Sequence, residues 1–372
     1  MVVPFLILYL TEARGYSATA AGRFLGLYGL GSLAGSFLGG WLSDHIPPRR
    51  VLLLSLSFGG IVFLVLGPLR SGAAIAVALL ALSTITDAFR PALATAVAES
   101  TAPGERSRAF VLSRLAVNLG MSVGPVVGGF LALHGYIWLF VVDGTTALLA
   151  AGVLALAFRR EPPKPVPHGK TRDQGSSPWK DRPFLALAFL MTLYGLVFFQ
   201  LLGAFPLTLR DRFGMAENWI GMSLSVNTLL IVLFEMLLVH SLRRVNPYRV
   251  LAWGSLLMCL GFALLPLGSG RAFVVFTVAV WTLGEMLSLS IVSGLVAERA
   301  GERSQGRYMG VFSLAFSVAF VLAPLGGTWI YQRFSPETLW YGCGAIGVVL
   351  WAGFNLLSGH AARETAGAPA TG

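Results

Sequence analysis

The run VLAWGSLLMCLGFALLPL, from Val250 to Leu267, holds eighteen residues without a single charge and is apolar on every face of a helix. At 1.5 Å per residue such a run nearly fills a hydrocarbon core about 30 Å thick, so it reads as a membrane-spanning helix. Val51 to Leu66 (VLLLSLSFGGIVFLVL) is of the same kind. Working outward from these two, apolar runs fall at about 19–43, 50–68, 72–98, 105–133, 136–158, 184–209, 217–241, 248–267, 271–298, 303–332 and 336–358. A further apolar segment, Met1 to Leu10, is too short to cross on its own. None of the runs alternates as the strands of a transmembrane barrel must. Charged residues make up 12% of the chain and apolar ones 55%, against about 25% charged in a soluble domain. A soluble enzyme, a disordered chain and a disulfide scaffold are excluded, and the expected class is an all-α polytopic membrane protein.

The two halves repeat at a spacing of 199 residues: Arg50-Val51-Leu52 falls on Arg249-Val250-Leu251, Ala98-Glu99 on Ala297-Glu298, Arg108 on Arg307 and Pro125 on Pro324. A parallel repeat of this kind implies two six-helix halves. The expected division is 1–158 for the first half, 159–183 for a cytoplasmic linker rich in Pro, Lys, Gly and Ser, 184–358 for the second half and 359–372 for a cytoplasmic tail. Carrying the register back from Phe184 places the start of the first of twelve helices upstream of Met1, so that helix is expected to be truncated, with roughly two-thirds of it missing.

The net charge of +10 is carried almost entirely by Arg. With twelve helices and the N-terminus inside, eighteen Lys and Arg fall in loops on the inner side and seven on the outer side, with Arg90 and Arg114 inside spans. That asymmetry satisfies the positive-inside rule and places both termini in the cytoplasm, in an inner (plasma) membrane. Nucleic acid is not expected as a partner, because the charge is explained by orientation. Cys259 and Cys343 lie inside apolar runs, and His45, His134 and His240 sit at helix ends without forming a ligand set. There is no phosphate-cradling Gly-Lys-Ser loop and no catalytic constellation. We expect no metal, no cofactor and no enzymatic activity, and a process driven by an ion gradient.

Two motifs are distinctive. Gly39-Gly40-Trp41-Leu42-Ser43-Asp44, followed by Arg49 and Arg50, ends the second helix. Gly120-x-x-x-Gly124-Pro125-x-x-Gly128-Gly129 occupies the fifth, where an i+4 glycine ladder admits a close neighbour and Pro125 bends the helix. The first resembles the loop 2-3 signature of the major facilitator superfamily, with Pro47 and Pro48 in place of the usual Gly and first basic residue. The second resembles the motif of its drug:proton antiporter branch. The resemblance spans the whole chain. It implies a monomeric secondary transporter that works by alternating access between two halves, with a small-molecule substrate and protons as partners in the lipid bilayer. Gly40, Asp44, Arg49 and Arg50 would then act as a gating latch. Gly31, Gly35 and Gly39 in the second helix are read as plain packing positions.

Ionisable groups inside spans are costly, which makes each a functional candidate. Glu235 and Glu285 lead as proton-coupling residues, with Asp87 third. Arg90, three residues after Asp87, resembles the fourth-helix Arg of the family, here followed by Pro91-Ala92-Leu93-Ala94. Arg90, Arg114, Asn118, Gln200 and Asn227 are the candidates for lining the substrate cavity, and Asp143 is read as interfacial. The resemblance points to outward transport of a small amphiphilic or cationic compound. A proton-coupled importer of a sugar or organic anion, using Arg90 and Arg114, and a non-transporting sensor or scaffold are the other two readings.

Overall fold

The computed structural model describes residues 1–101, 105–158, 177–242 and 245–366. The backbone of these residues is helical almost throughout. In order, the helices are α1 (Val2–Leu8, continued by a wider turn over Tyr9–Ala13), α2 (Ala18–His45), α3 (Pro48–Leu66), α4 (Gly72–Asp87), α5 (Phe89–Ser100), α6 (Arg106–Leu133), α7 (Ile137–Phe158), α8 (Arg182–Phe198), α9 (Ala204–Asp211), α10 (Glu217–Ser241), α11 (Pro247–Ala263), α12 (Gly270–Arg333) and α13 (Pro336–Ala366). Ten stretches of the described residues are long and apolar enough to cross a membrane. The span expected at 19–43 forms as α2, which its glycines and serines make less apolar than those ten.

Local chemistry sets the ends. Ser17 caps α2 by accepting the N–H of Ala20, Asn246 caps α11 by accepting those of Tyr248 and Arg249, and Pro48 and Pro247 start their helices where no N–H is needed. The span at 72–98 breaks at Ala88, because Pro91 has no N–H to give the Asp87 carbonyl. Expected spans 271–298 and 303–332 are joined in α12 with no non-helical residue between them. Gly261 and Gly254 of α11 lie against Trp281 and Ser288, so the first part of α12 runs antiparallel to α11. Its later part runs alongside α8, with Tyr308 against Phe184 and Ala319 against Gly195.

The chain forms two compact units. The first comprises residues 1–171 and 214–225. Within it α2 packs on α4 through Gly31, Gly35 and Gly39, whose missing Cβ atoms would collide with the backbone of Leu80, Thr84 and Ala88 in turn. The plain-packing reading of that ladder holds. Gly60 of α3 and Gly144 of α7 face each other in the same way. The second unit comprises residues 172–213 and 226–372. Its interior is an aromatic stack in which Phe262 lies parallel to Trp281 on one side (5.3 Å) and Trp340 on the other (5.7 Å), with Phe205 edge-on. Trp340 donates its indole N–H to the Thr208 hydroxyl at 3.1 Å.

Asp181 ties the start of α8 to α12. Its carboxylate accepts the N–H of Phe184 at 3.1 Å, takes Arg299 through two bonds of 2.7 and 2.8 Å and receives the Tyr308 hydroxyl at 3.0 Å. Burial alone would push this carboxyl up, but Arg299 and the helix-capping N–H outweigh it and hold it below its ordinary 3.8. A lowered folded value means stabilisation that is complete above the unfolded value and fades as pH falls through the folded one. Asp181→Asn should therefore cost about 1–3 kcal/mol at neutral pH. The gap to wild type in thermal melts of detergent-purified protein should close in acid, below the ordinary carboxylate range.

Candidate functional site

In the second unit, α10 and the first part of α12 lie side by side with polar groups along the seam. The Asn227 side-chain amide donates to Glu285 Oε2 at 2.7 Å and to the Thr282 hydroxyl at 3.1 Å. Glu285 is 9% exposed, Asn227 7% and Thr282 not at all. Thr282 and Glu285 are three apart and so share a face of α12. Glu285 has no cationic partner among the described residues. An ionised carboxylate without a counter-charge at such depth is strongly unfavourable, so something positive must reach it. Two turns further along α10, the half-buried Glu235 accepts the Ser290 hydroxyl at 2.7 Å. The two leading carboxylates and Asn227 thus fall on one seam.

Gln200 does not join them. It sits in the tight turn after α8, and its amide donates to the carbonyls of Leu196 (3.0 Å) and Ala323 (2.9 Å). Gly327 leaves it room, since a Cβ there would overlap the amide. Gln200 braces α8 against α12, the packing role open to any mid-helix amide.

In the first unit, Asp87 Oδ1 lies 3.5 Å from Arg90, whose side chain is 83% exposed, so the pair is not a buried lock. Asp87 and Asp143 line one cavity of about 480 Å³ with Tyr28 and Thr86. Asp143 accepts the N–H of Val2 in α1 at 2.8 Å. Asn118 is half-buried on α6. The side chains of Asp44 and Arg114, most of the expected linker (159–176) and the tail from 367 lie outside the described residues. Gly40 and Arg50 are at the surface end of α2 and the first turn of α3.

The ladder of α6 is not uniform. Among the described residues a Cβ on Gly120 would meet nothing within 4 Å, one on Gly124 only Met1 at 3.9 Å, and one on Gly128 the Phe5 ring at 3.0 Å. A Cβ on Gly129 would come within 2.5 Å of the Glu217 carbonyl oxygen in the backbone of α10, and one on Gly221 of α10 would run into the Pro125 carbonyl in return. The residues that complete this crossing and the seam, Gly221, Thr282 and Ser290, are not legible as special in sequence. Each is one small or polar residue among many in apolar runs.

The family model of the Major Facilitator Superfamily matches residues 1–216 and 187–370, which together take in almost the whole chain. The chain belongs to the Major Facilitator Superfamily. Among its relatives, a class G tetracycline resistance protein of Vibrio anguillarum is 27% identical over 89% of this chain and 85% of that protein. A Na(+), Li(+), K(+)/H(+) antiporter of Planococcus maritimus is 23% identical over 96% of this chain and 90% of that one. The crystal structure of a POT family transporter in complex with a thioalcohol-conjugated peptide superposes with a TM-score of 0.81, covering 96% of this chain and 92% of the other at 15% identity, a likeness of fold. This facilitator is therefore a multi-pass membrane protein and a secondary transporter, moving a small molecule with coupling to a proton or ion.

Proposed function

We propose that this facilitator exports small amphiphilic or cationic compounds in exchange for protons, by alternating access between halves at 1–158 and 184–358 joined by the linker 159–183. In this reading it lies in the plasma membrane with both termini in the cytoplasm. The observation that carries the reading is Glu285, a buried carboxylate held by Asn227 with no cation beside it among the described residues. Such a group accepts either a proton or another positive charge, and exchange of the two is antiport. Glu235 on the same seam is the second station, and Asp87 with Arg90 a third group whose charge can change with state. Asn118 and Arg114 on α6 are proposed to face the substrate, and Asp44 with Arg49 and Arg50 to act as the gating latch after α2. The fifth-helix motif and the relative named for tetracycline resistance support the outward direction.

Inside-out vesicles acidified within test this directly. Lipophilic cations added outside should trigger proton release within seconds, and sugars or organic anions should not. Proton movement driven only by a sugar or organic anion would overturn export of cations and point to an importer.

A further inference from the structure

On the first unit a groove of about 530 Å³ runs between α3 and α4. Its walls are Val62 and Val65 of α3, Leu69 of the intervening turn, and Ala74, Ala78 and Ala81 of α4. The three alanines follow one another at i, i+4 and i+7, so they lie on one stripe of the helix, and their methyl groups are too short to reach the facing valines. Val65 is 51% exposed and Val77, which also lines the groove, 68%. None of the lining side chains can form a hydrogen bond, so water has no partner there and an apolar occupant is favoured.

The position of the groove says which apolar occupant. Both helices are long and apolar enough to cross the membrane, and the groove lies at the end where the turn joins them. From Ala73 to Ala81 it extends about 12 Å along α4, against about 15 Å for one leaflet, half of the hydrocarbon core. A single acyl chain from the leaflet on the turn side therefore matches it in depth.

The mouth of the groove is positively charged. Arg70 stands in the turn between the lining residues Leu69 and Ala73, is exposed, and has no ion-pair partner among the described residues. Arg14 reaches the same turn, donating to the Gly67 carbonyl at 2.6 Å. The first N–H groups of α4, which the Ser71 side chain leaves uncapped, add to the same sign. No acid occurs between Asp44 and Asp87, so neither helix offsets these charges near the turn.

We propose that this groove binds one anionic phospholipid, with an acyl chain along Ala74, Ala78 and Ala81 and the headgroup phosphate on Arg70. On the orientation proposed above, the lipid belongs to the outer leaflet. A second copy of this chain is the other occupant that small residues would admit. A two-fold contact on this face, however, brings one Arg70 towards another, whereas a phosphate matches it. The site goes beyond the transport reading, because it is the same whatever cargo is carried.

Native mass spectrometry of the detergent-purified protein, titrated with phosphatidylglycerol or with phosphatidylcholine, reads the lipid held by each chain. Wild type is expected to retain one phosphatidylglycerol and to need about fivefold more phosphatidylcholine for equal occupancy, the difference one Arg makes at an anionic lipid surface. Arg70→Gln should abolish that preference. Ala78→Phe, which fills the groove, should weaken both lipids at least about tenfold by removing the packing along the chain. Unchanged lipid binding in Ala78→Phe, or an unchanged preference in Arg70→Gln, overturns the proposal. A wild-type spectrum dominated by pairs of chains without lipid overturns it too, and marks the groove as an interface between copies. Should Ala78→Phe not accumulate, Ala74→Leu on the same stripe and Arg70→Gln in the exposed turn decide in the same way.

Discussion

Glu285→Gln should abolish substrate-driven ion movement, lowering it at least a hundredfold, while leaving the folded protein as heat-stable as wild type or more so. The two halves of this expectation have one origin. Glu285 is buried to 9% exposure and its hydrogen bond comes from a neutral amide, so when ionised it is an uncompensated charge at depth. Glutamine keeps the shape and can still accept from Asn227, but it can neither take up nor release a proton, nor offer a full negative charge to a cation. Replacing a buried charge by an isosteric neutral group is neutral or stabilising. A purely structural role predicts the opposite pattern, a loss of melting temperature with coupling scaled down in proportion to folded protein. Coupled flux in vesicles and a melting curve in detergent, measured on the same preparation, decide between them. Glu235→Gln should have a smaller effect, because Glu235 is half-buried and its bond to Ser290 leaves it nearer to water.

The reach of sequence reading follows from how each feature is encoded. Membrane spans are written in runs of about twenty residues, so Val250 to Leu267 and its companions stand out without any contact information. Glycine ladders are weaker, since spacing shows that a close neighbour is allowed, not that one is present. Gly31, Gly35 and Gly39 face the α4 backbone, whereas Gly120, with the same i+4 spacing, has no described residue within 4 Å of where its Cβ would lie. The candidate site divides in the same way. Glu285 and Asn227 were legible because a carboxylate or a carboxamide inside a span is expensive. Thr282 and Ser290 were not, since a hydroxyl in an apolar run is ordinary until the structure shows which amide or carboxylate it meets. Gln200 went the other way: its polarity drew notice, but its amide N–H groups are taken by two carbonyls that brace α8 against α12, and its Oε1 has no partner among the described residues.

The crossing of α6 and α10 in the first unit yields the largest structural effect. Gly221→Leu should stop the protein from accumulating as a monodisperse, heat-stable species, whereas Gly120→Ala on the neighbouring ladder should be indistinguishable from wild type. At Gly221 even a Cβ would run into the Pro125 carbonyl and come within 2.9 Å of its carbon, with the Phe5 ring at 3.2 Å. The obstacle is backbone, which cannot rotate aside, and α10 is also held from the other direction, where Gly129 admits the Glu217 carbonyl. The contact is thus reciprocal, with Pro125 and Gly129 on one helix facing Gly221 and Glu217 on the other, each pair one turn apart. Small residues on both sides are what let two membrane helices approach this closely, because lipid offers no hydrophobic drive to pull them together. Overpacking inside a protein costs about 1–3 kcal/mol when side chains can adjust, and more is expected where two backbones must separate. Gly221→Ala should show an intermediate loss. Size-exclusion profiles and melting temperatures of Gly221→Ala, Gly221→Leu and Gly120→Ala provide the check, and equal behaviour of all three would mean that the crossing is not a close contact in the membrane.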